Sequence, residues 1–207
     1  MSDNSITTDE QRVSYGFGLQ FGQQLLRNQF DGLDPALVAR GINDLLDKKP
    51  LAVDEASLNQ AFAAVQQKMQ AEQARKAQQM QELGRSFLAQ NAARDGVVTT
   101  ASGLQYEVLE AGSGRQPSAT SQVKTHYHGC FLDGSVFDSS IERGEPATFA
   151  LNQVISGWTE ALQLMAEGAK WRIFLPPELA YGDMGSPPVI PPGSALQFDI
   201  HLLEVLD

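Results

Sequence analysis

Apolar residues recur along this chain at two different periods, and the change of period divides it. Up to about Phe87 the spacing is helical, and from Leu104 it alternates. Thr8-Asp9-Glu10-Gln11 has the spacing of a capping box, so a helix is expected to begin there. Val13, Phe17, Phe21 and Leu25 then fall on one side of it, and Tyr15, Leu19 and Leu26 on another. A helix that is apolar on two sides needs cover on two sides. Gly18 and Gly22, with Gly16 close by, leave room for another helix to approach. The polar residues around them rule out a membrane reading of that spacing. So short a bundle has too few elements to cover both sides, and a second copy of the chain is expected to supply the rest.

Asp34-Pro35 pairs a capping side chain with a proline at the first helical position, opening a second helix over Val38, Ile42, Leu45 and Leu46. Pro50 closes that segment, and Asp54 opens a third helix. Its stripe of Leu58, Phe62, Val65 and Met69 stops, and Gln70 to Gln79 holds only alanines and polar or charged residues. Apolar spacing resumes at Met80, Leu83 and Phe87. Ala, Gln, Glu, Lys and Arg favour helix, so a single helix of about 40 residues, ~60 Å, is expected to continue through the gap. A continuous coiled coil is the competing reading, but its heptads lose their apolar positions for about three turns. The expected division is a helical dimerisation domain over 1–53, a connecting helix over 54–95 and a second domain over 96–207.

In the last part, Arg94-Asp95-Gly96 is expected to end the helix and Thr99 to Gly103 to form a polar connector. Strands are expected over 105–109, 123–131, 171–175 and 196–205, with Leu196, Phe198, Ile200 and Leu202 on one face. One short helix, Thr159 to Met165, is expected to close at Gly168. Strands around one short helix make this half α+β.

Composition narrows the partners. Asp and Glu outnumber Lys and Arg by 25 to 15, a net charge of -10, which disfavours a nucleic-acid backbone or an anionic membrane. No apolar run approaches the ~20 residues of a membrane helix. Cys130 is the only cysteine, so no internal disulfide forms. The opening Met1-Ser2-Asp3-Asn4-Ser5 lacks the basic and apolar segments of a secretory signal, so a cytoplasmic location is expected. His126, His128 and Cys130 alternate along a strand but lack a nearby fourth ligand, and no metal or cofactor is assigned.

Candidate chemistry gathers around Val154-Ile155-Ser156-Gly157-Trp158, where a sharp turn at Gly157 places a large aromatic. Tyr127 lies upstream in His126-Tyr127-His128-Gly129, as does Val136-Phe137-Asp138-Ser139-Ser140. Downstream come Ala180-Tyr181-Gly182, Val189-Ile190-Pro191-Pro192 and Leu196-Gln197-Phe198. Taken singly, Trp158 is also readable as a core residue, Asp138 as a turn acid and Tyr181 as a buried turn tyrosine. No Ser-His-Asp set, phosphate loop or cofactor motif competes with an apolar pocket that holds a few hydrogen-bond donors.

In that order these segments resemble an FKBP-type peptidyl-prolyl isomerase domain, over about the last half of the chain. The whole resembles the two-domain bacterial FKBPs of the macrophage-infectivity-potentiator type. The resemblance implies a twisted antiparallel sheet wrapped on the short helix, with Tyr127, Phe137, Trp158 and Phe198 around a proline ring. It implies a backbone N–H from Ile155, a hydroxyl from Tyr181, and Asp138 at the pocket edge paired with Tyr127 and Arg143. Val154, Val189 and Ile190 complete the implied substrate-binding set. The implied partners are proline-containing peptides and folding polypeptides, macrolide inhibitors of the rapamycin type, and a second copy of the chain. Two positions depart from the family pattern: Ala147, where many members carry an aromatic, and Ser186, where many carry a histidine. A pocket more open on one side is expected. A polypeptide-binding chaperone or adaptor using the same pocket is the alternative function, whereas a purely structural dimer would leave the pocket residues unexplained.

Overall fold

The computed structural model describes residues 6–206, so the opening Met1-Ser2-Asp3-Asn4-Ser5 lies outside the described residues. The capping box forms as expected: Gln11 N donates to Thr8 Oγ1 at 3.2 Å, and Thr8 N donates to Gln11 Oε1 at 3.1 Å. It opens α1 (Asp9–Arg27). Asp34 Oδ1 takes the N–H groups of Ala36 and Leu37 at 2.8 and 3.3 Å and opens α2 (Pro35–Leu46). Asp54 caps the start of α3 (Glu55–Asn91) through Ser57 N at 2.9 Å, and this 37-residue helix runs unbroken through the polar gap. It stops at Asn91, short of Arg94-Asp95-Gly96, because the chain turns there with Arg94 N on Asn91 O at 3.0 Å.

The chain divides into two compact units between Ala71 and Glu72, within α3. In the first, none of the described residues is buried. Val13, Phe17 and Phe21 on one side of α1, and Tyr15, Leu19 and Leu26 on the other, are all more than half exposed. Leu45 and Leu46 of α2 and Phe62 of α3 are open as well.

The second unit is an antiparallel sheet that, among the described residues, has seven strands: β1 (Val97–Thr99), β2 (Gln105–Glu110), β3 (Gln122–Phe131), β4 (Val136–Ser139), β5 (Ala147–Ala150), β6 (Lys170–Leu175) and β7 (Leu196–Leu206). Their order is β1-β2-β6-β7-β3-β4, and β5 pairs with the first half of β3. Alternation in β7 buries Leu196, Phe198, Ile200 and Leu202 against α5 (Ser156–Leu164), which contributes Trp158, Ala161 and Leu162.

Three expectations need correction. Part of the expected polar connector is β1, because Val97 to Thr99 pair with Glu107 to Gln105. α5 starts at Ser156, three residues earlier than expected, and an extended Met165 ends it. Gly168, at φ 87°, lies in the following turn and donates to Leu202 O at 2.8 Å. The boundary at residue 95 also differs from the packing: the last turns of α3 belong to the second unit. Leu88 is buried with Phe174 and Ala195, and Phe87 meets the Phe174 ring at 5.7 Å. Asn91 Nδ2 donates to Gln105 Oε1, and Gln105 Nε2 to Leu88 O, both at 2.8 Å. These contacts give the buried amides partners, which they need away from water. Among the described residues no helix is long and apolar enough to cross a membrane.

Candidate active site

A cavity of about 300 Å³ opens between α5 and one end of the sheet. Tyr127 comes from β3, Phe137 and Asp138 from β4, Phe149 from β5, Val154 and Ile155 from the entry to α5, Trp158 from its first turn, and Phe198 from β7. Tyr181 closes one side from a loop of two 3₁₀ turns. The rings of Tyr127, Phe149 and Phe198 meet Trp158 edge-on at 5.2, 5.6 and 5.3 Å, and Phe137 meets Phe198 in the same way at 5.4 Å. Edge-to-face contact is the favoured arrangement of such rings, so the walls pack on one another.

Two glycines make this packing possible. Gly157 lies within α5 and does not make the sharp turn expected of it. Its missing Cβ is what matters, since one would run into the Leu175 side chain and stand 3.0 Å from Leu179 O. Gly129, opposite both Asp138 and Phe198, leaves space where a Cβ would come within 2.8 Å of the Phe137 and Phe198 rings.

The edge of the pocket is polar. Tyr127 Oη donates to Asp138 Oδ2 at 2.5 Å, Arg143 Nη1 to Asp138 Oδ1, and Arg143 Nη2 to Tyr127 Oη at 2.8 Å. Ser139 caps a one-turn helix, α4 (Ser140–Arg143), and Gly144 ends it at φ 74°, so Arg143 is turned back toward Asp138. Burial alone would raise the Asp138 carboxyl, but the bonds from Tyr127 and Arg143 outweigh it and hold the group below the usual carboxylate range. Burial, reinforced by the bond to Asp138, pushes the Tyr127 phenol up. Burial and the Asp138 charge do the same to Tyr181, whose hydroxyl has no partner among the described residues. As the N-cap of α5, Ile155 gives its carbonyl to Trp158 N and Thr159 N and leaves its own N–H outside the helix ladder. Among the described residues the buried Trp158 indole N–H also has no acceptor.

A pocket with these walls and donors suits an uncharged amide beside an apolar ring, and comparison with known proteins agrees. Residues 113–203 match the family model described as "FKBP-type peptidyl-prolyl cis-trans isomerase", and residues 10–108 match "Domain amino terminal to FKBP-type peptidyl-prolyl isomerase". The FKBP-type 22 kDa peptidyl-prolyl cis-trans isomerase of Escherichia coli is 44% identical over 206 residues, covering 100% of both chains. The chain belongs to the FKBP-type peptidyl-prolyl cis-trans isomerases. Outer membrane protein MIP of Legionella longbeachae is 38% identical over 97% of this chain and 88% of its own. The crystal structure of FkpA from Escherichia coli has a TM-score of 0.72 at 35% identity, covering 98% of this chain and 99% of its own.

In this FKBP-type isomerase the cavity brings together Tyr127, Phe137, Asp138, Val154, Ile155, Trp158, Tyr181 and Phe198. Arg143 stands behind the wall, joined to two of those residues. Val189 and Ile190 are not on the wall. Ile190 is buried in the core beneath a tight loop in which Ser186 and Ile190 exchange backbone hydrogen bonds, and Val189 is exposed on that loop. Phe149 and Gln153 line the cavity without having been assigned from sequence. Phe149 sits in a four-residue strand too short for alternation to mark, and Gln153 lies in a 3₁₀ turn with no distinguishing pattern. His126 Nδ1 is 3.1 Å from Ser140 Oγ and His128 Nδ1 is 3.0 Å from Ser139 Oγ, so both histidines brace the start of α4.

Proposed function

We propose that the pocket accelerates rotation about X-Pro bonds by desolvation and hydrogen bonding, with no covalent or acid–base step. The observation that carries this reading is its chemical inventory: aromatic and aliphatic walls, one carboxylate already held by Tyr127 and Arg143, and free donors at Ile155 and Tyr181. Rotation costs ~18–20 kcal/mol because the planar amide loses its resonance and charge separation. An apolar enclosure disfavours the planar, charge-separated form relative to the twisted one. In this reading Trp158 and Phe198 hold the proline ring. Ile155 N–H and the Tyr181 hydroxyl take substrate carbonyls, and Asp138 fixes the orientation of Tyr127. Macrolides of the rapamycin type are proposed to occupy the same walls. A protease-coupled assay on an X-Pro peptide series tests the reading: turnover should follow the residue before proline and vanish when the pocket is blocked. Binding of the same peptides without turnover would favour the chaperone or adaptor alternative.

The first unit is proposed to pair with a second copy through α1 and to hold client polypeptides near the pockets. The support is the exposed apolar surface on both sides of α1, together with Gly16, Gly18 and Gly22, beside which a Cβ would meet nothing within 4 Å. Two-fold pairing is the commonest way such a surface is covered. A client held there meets a pocket at raised effective concentration, whereas a short peptide gains nothing.

A further inference from the structure

A second apolar recess lies in the isomerase unit, outside the prolyl pocket. It has a volume of about 340 Å³ and is lined by Met80 and Leu83 of α3, Phe131 and Leu132 at the end of β3, and Pro191 and Ala195 before β7. A more open recess of about 560 Å³ continues from it past Met80, Leu83 and Pro191. The frame around it is fixed. Phe87 and Leu88 pack on Phe174, Gln81 Nε2 donates to Asp183 Oδ1 at 2.6 Å, and a Cβ on Gly84 would stand 3.0 Å from that of Ala195. With the helix anchored this closely, Leu83 is still 66% exposed, so its own unit leaves it uncovered.

The recess and the prolyl pocket are joined by a row of rings. Phe131, on the wall of the recess, lies 5.1 Å from Phe137, and Phe137, on the wall of the pocket, lies 5.4 Å from Phe198. Two such spacings correspond to about three residues of extended chain at ~3.3 Å each. We propose that the recess takes an apolar side chain of the client polypeptide, two to four residues from the proline held in the pocket. This rests on the prolyl reading of that pocket and adds a second determinant of which prolines are served. A second copy of the chain is the competing occupant, and the ring-to-ring connection favours the client. Asp133 on the lining sets the sign of the preference, since it disfavours an acidic client residue at this position.

The test uses the full chain and ten-residue peptides of glycine and serine with one proline. A single leucine is moved from two to seven positions away on either side. kcat/KM should peak about fivefold above the leucine-free peptide when the leucine is two to four positions away on one side, the effect of partly burying one leucine. Aspartate in its place should remove the gain. Leu83→Asp and Leu83→Lys should each abolish the peak and leave tetrapeptide turnover unchanged, with the pair separating lost apolar contact from added charge. A flat leucine profile beside normal tetrapeptide turnover would overturn this proposal alone. A peak surviving in both variants, or a change in molar mass by light scattering in either, would also overturn it, the latter by assigning the recess to a second copy. Absence of tetrapeptide turnover would overturn the underlying prolyl reading as well.

Discussion

Two helices of this protein make the same kind of promise in sequence and meet different fates. Both α1 and α5 carry apolar residues at helical spacing. α5 buries Gly157, Trp158, Ala161 and Leu162, while α1 buries nothing. The difference lies in their surroundings: α5 lies on a sheet of its own chain, and the first unit offers α1 no comparable surface. Fully burying a Phe or Leu contributes about 1.5–3 kcal/mol, so leaving Phe17, Phe21 and Leu26 in water forgoes several such contributions. An apolar stripe states that cover is needed and does not name what provides it. The isomerase unit buries a core of its own, whereas the first unit buries none of its described residues.

The strongest way to break this contrast is to damage the self-sufficient side. Trp158→Ala should cost ~3–5 kcal/mol, since it removes the ring that Tyr127, Phe149 and Phe198 all contact. Urea unfolding reads that loss. Peptide turnover corrected for the folded fraction should fall further than stability explains, and turnover that merely follows the folded fraction would remove Trp158 from the pocket floor.

Where the isomerase unit begins is the next point to sharpen. Leu88→Ala should destabilise it by about 2–5 kcal/mol, because Leu88 fills the cluster with Phe174 and Ala195. A chain beginning at Thr99 should be less stable than one beginning at Glu72 by at least that amount in thermal unfolding. Equal stability would show that the end of α3 is an appendage.

Much of this was legible in the sequence, and the remainder was hidden for physical reasons. Capping side chains at Thr8, Asp34 and Asp54 act within a few residues of their own position, so the starts of α1, α2 and α3 could be read directly. β3 and β7 are ten and eleven residues long, enough for alternation to stand out. β4, α4 and β5 are four residues each, and their form depends on pairing with β3 and on the Ser139 cap. In the pocket, Trp158, Tyr127 and Phe198 were placed by the resemblance that the ordered motifs carry together, since each motif alone was ambiguous. Phe149 and Gln153 were not, since only the closure of the sheet over α5 brings them there. Gly157 was recognised as necessary for a turn, whereas the structure gives it a different task, the close approach of Leu175.

Smaller effects are expected at the pocket edge. Asp138→Ala should slow peptide turnover roughly tenfold, about 1.4 kcal/mol of barrier. The half-exposed pair with Arg143 adds little to stability, because solvent screens it. Turnover unchanged at equal stability would limit Asp138 to a surface role.

The smallest expected effect is that of pH. The depressed Asp138 carboxyl stays ionised above the ordinary aspartate range near ~4, and the stability it contributes is lost only as pH falls through its lowered value. The raised phenols of Tyr127 and Tyr181 keep their protons to beyond ~10. Turnover should therefore be flat from about pH 5 to 9. A steep bend in the neutral range, following one ionisation, would count against a step free of acid–base chemistry.

The division of labour between the two units is tested most directly by proline-limited refolding of a client protein. Its rate is compared under the full chain and under a chain lacking residues 1–51, each normalised to tetrapeptide turnover. The truncated chain should be a monomer with peptide turnover within about twofold of normal, and its refolding activity should fall by roughly tenfold or more as the held client's effective concentration is lost. Equal normalised refolding by the two chains would contradict the account.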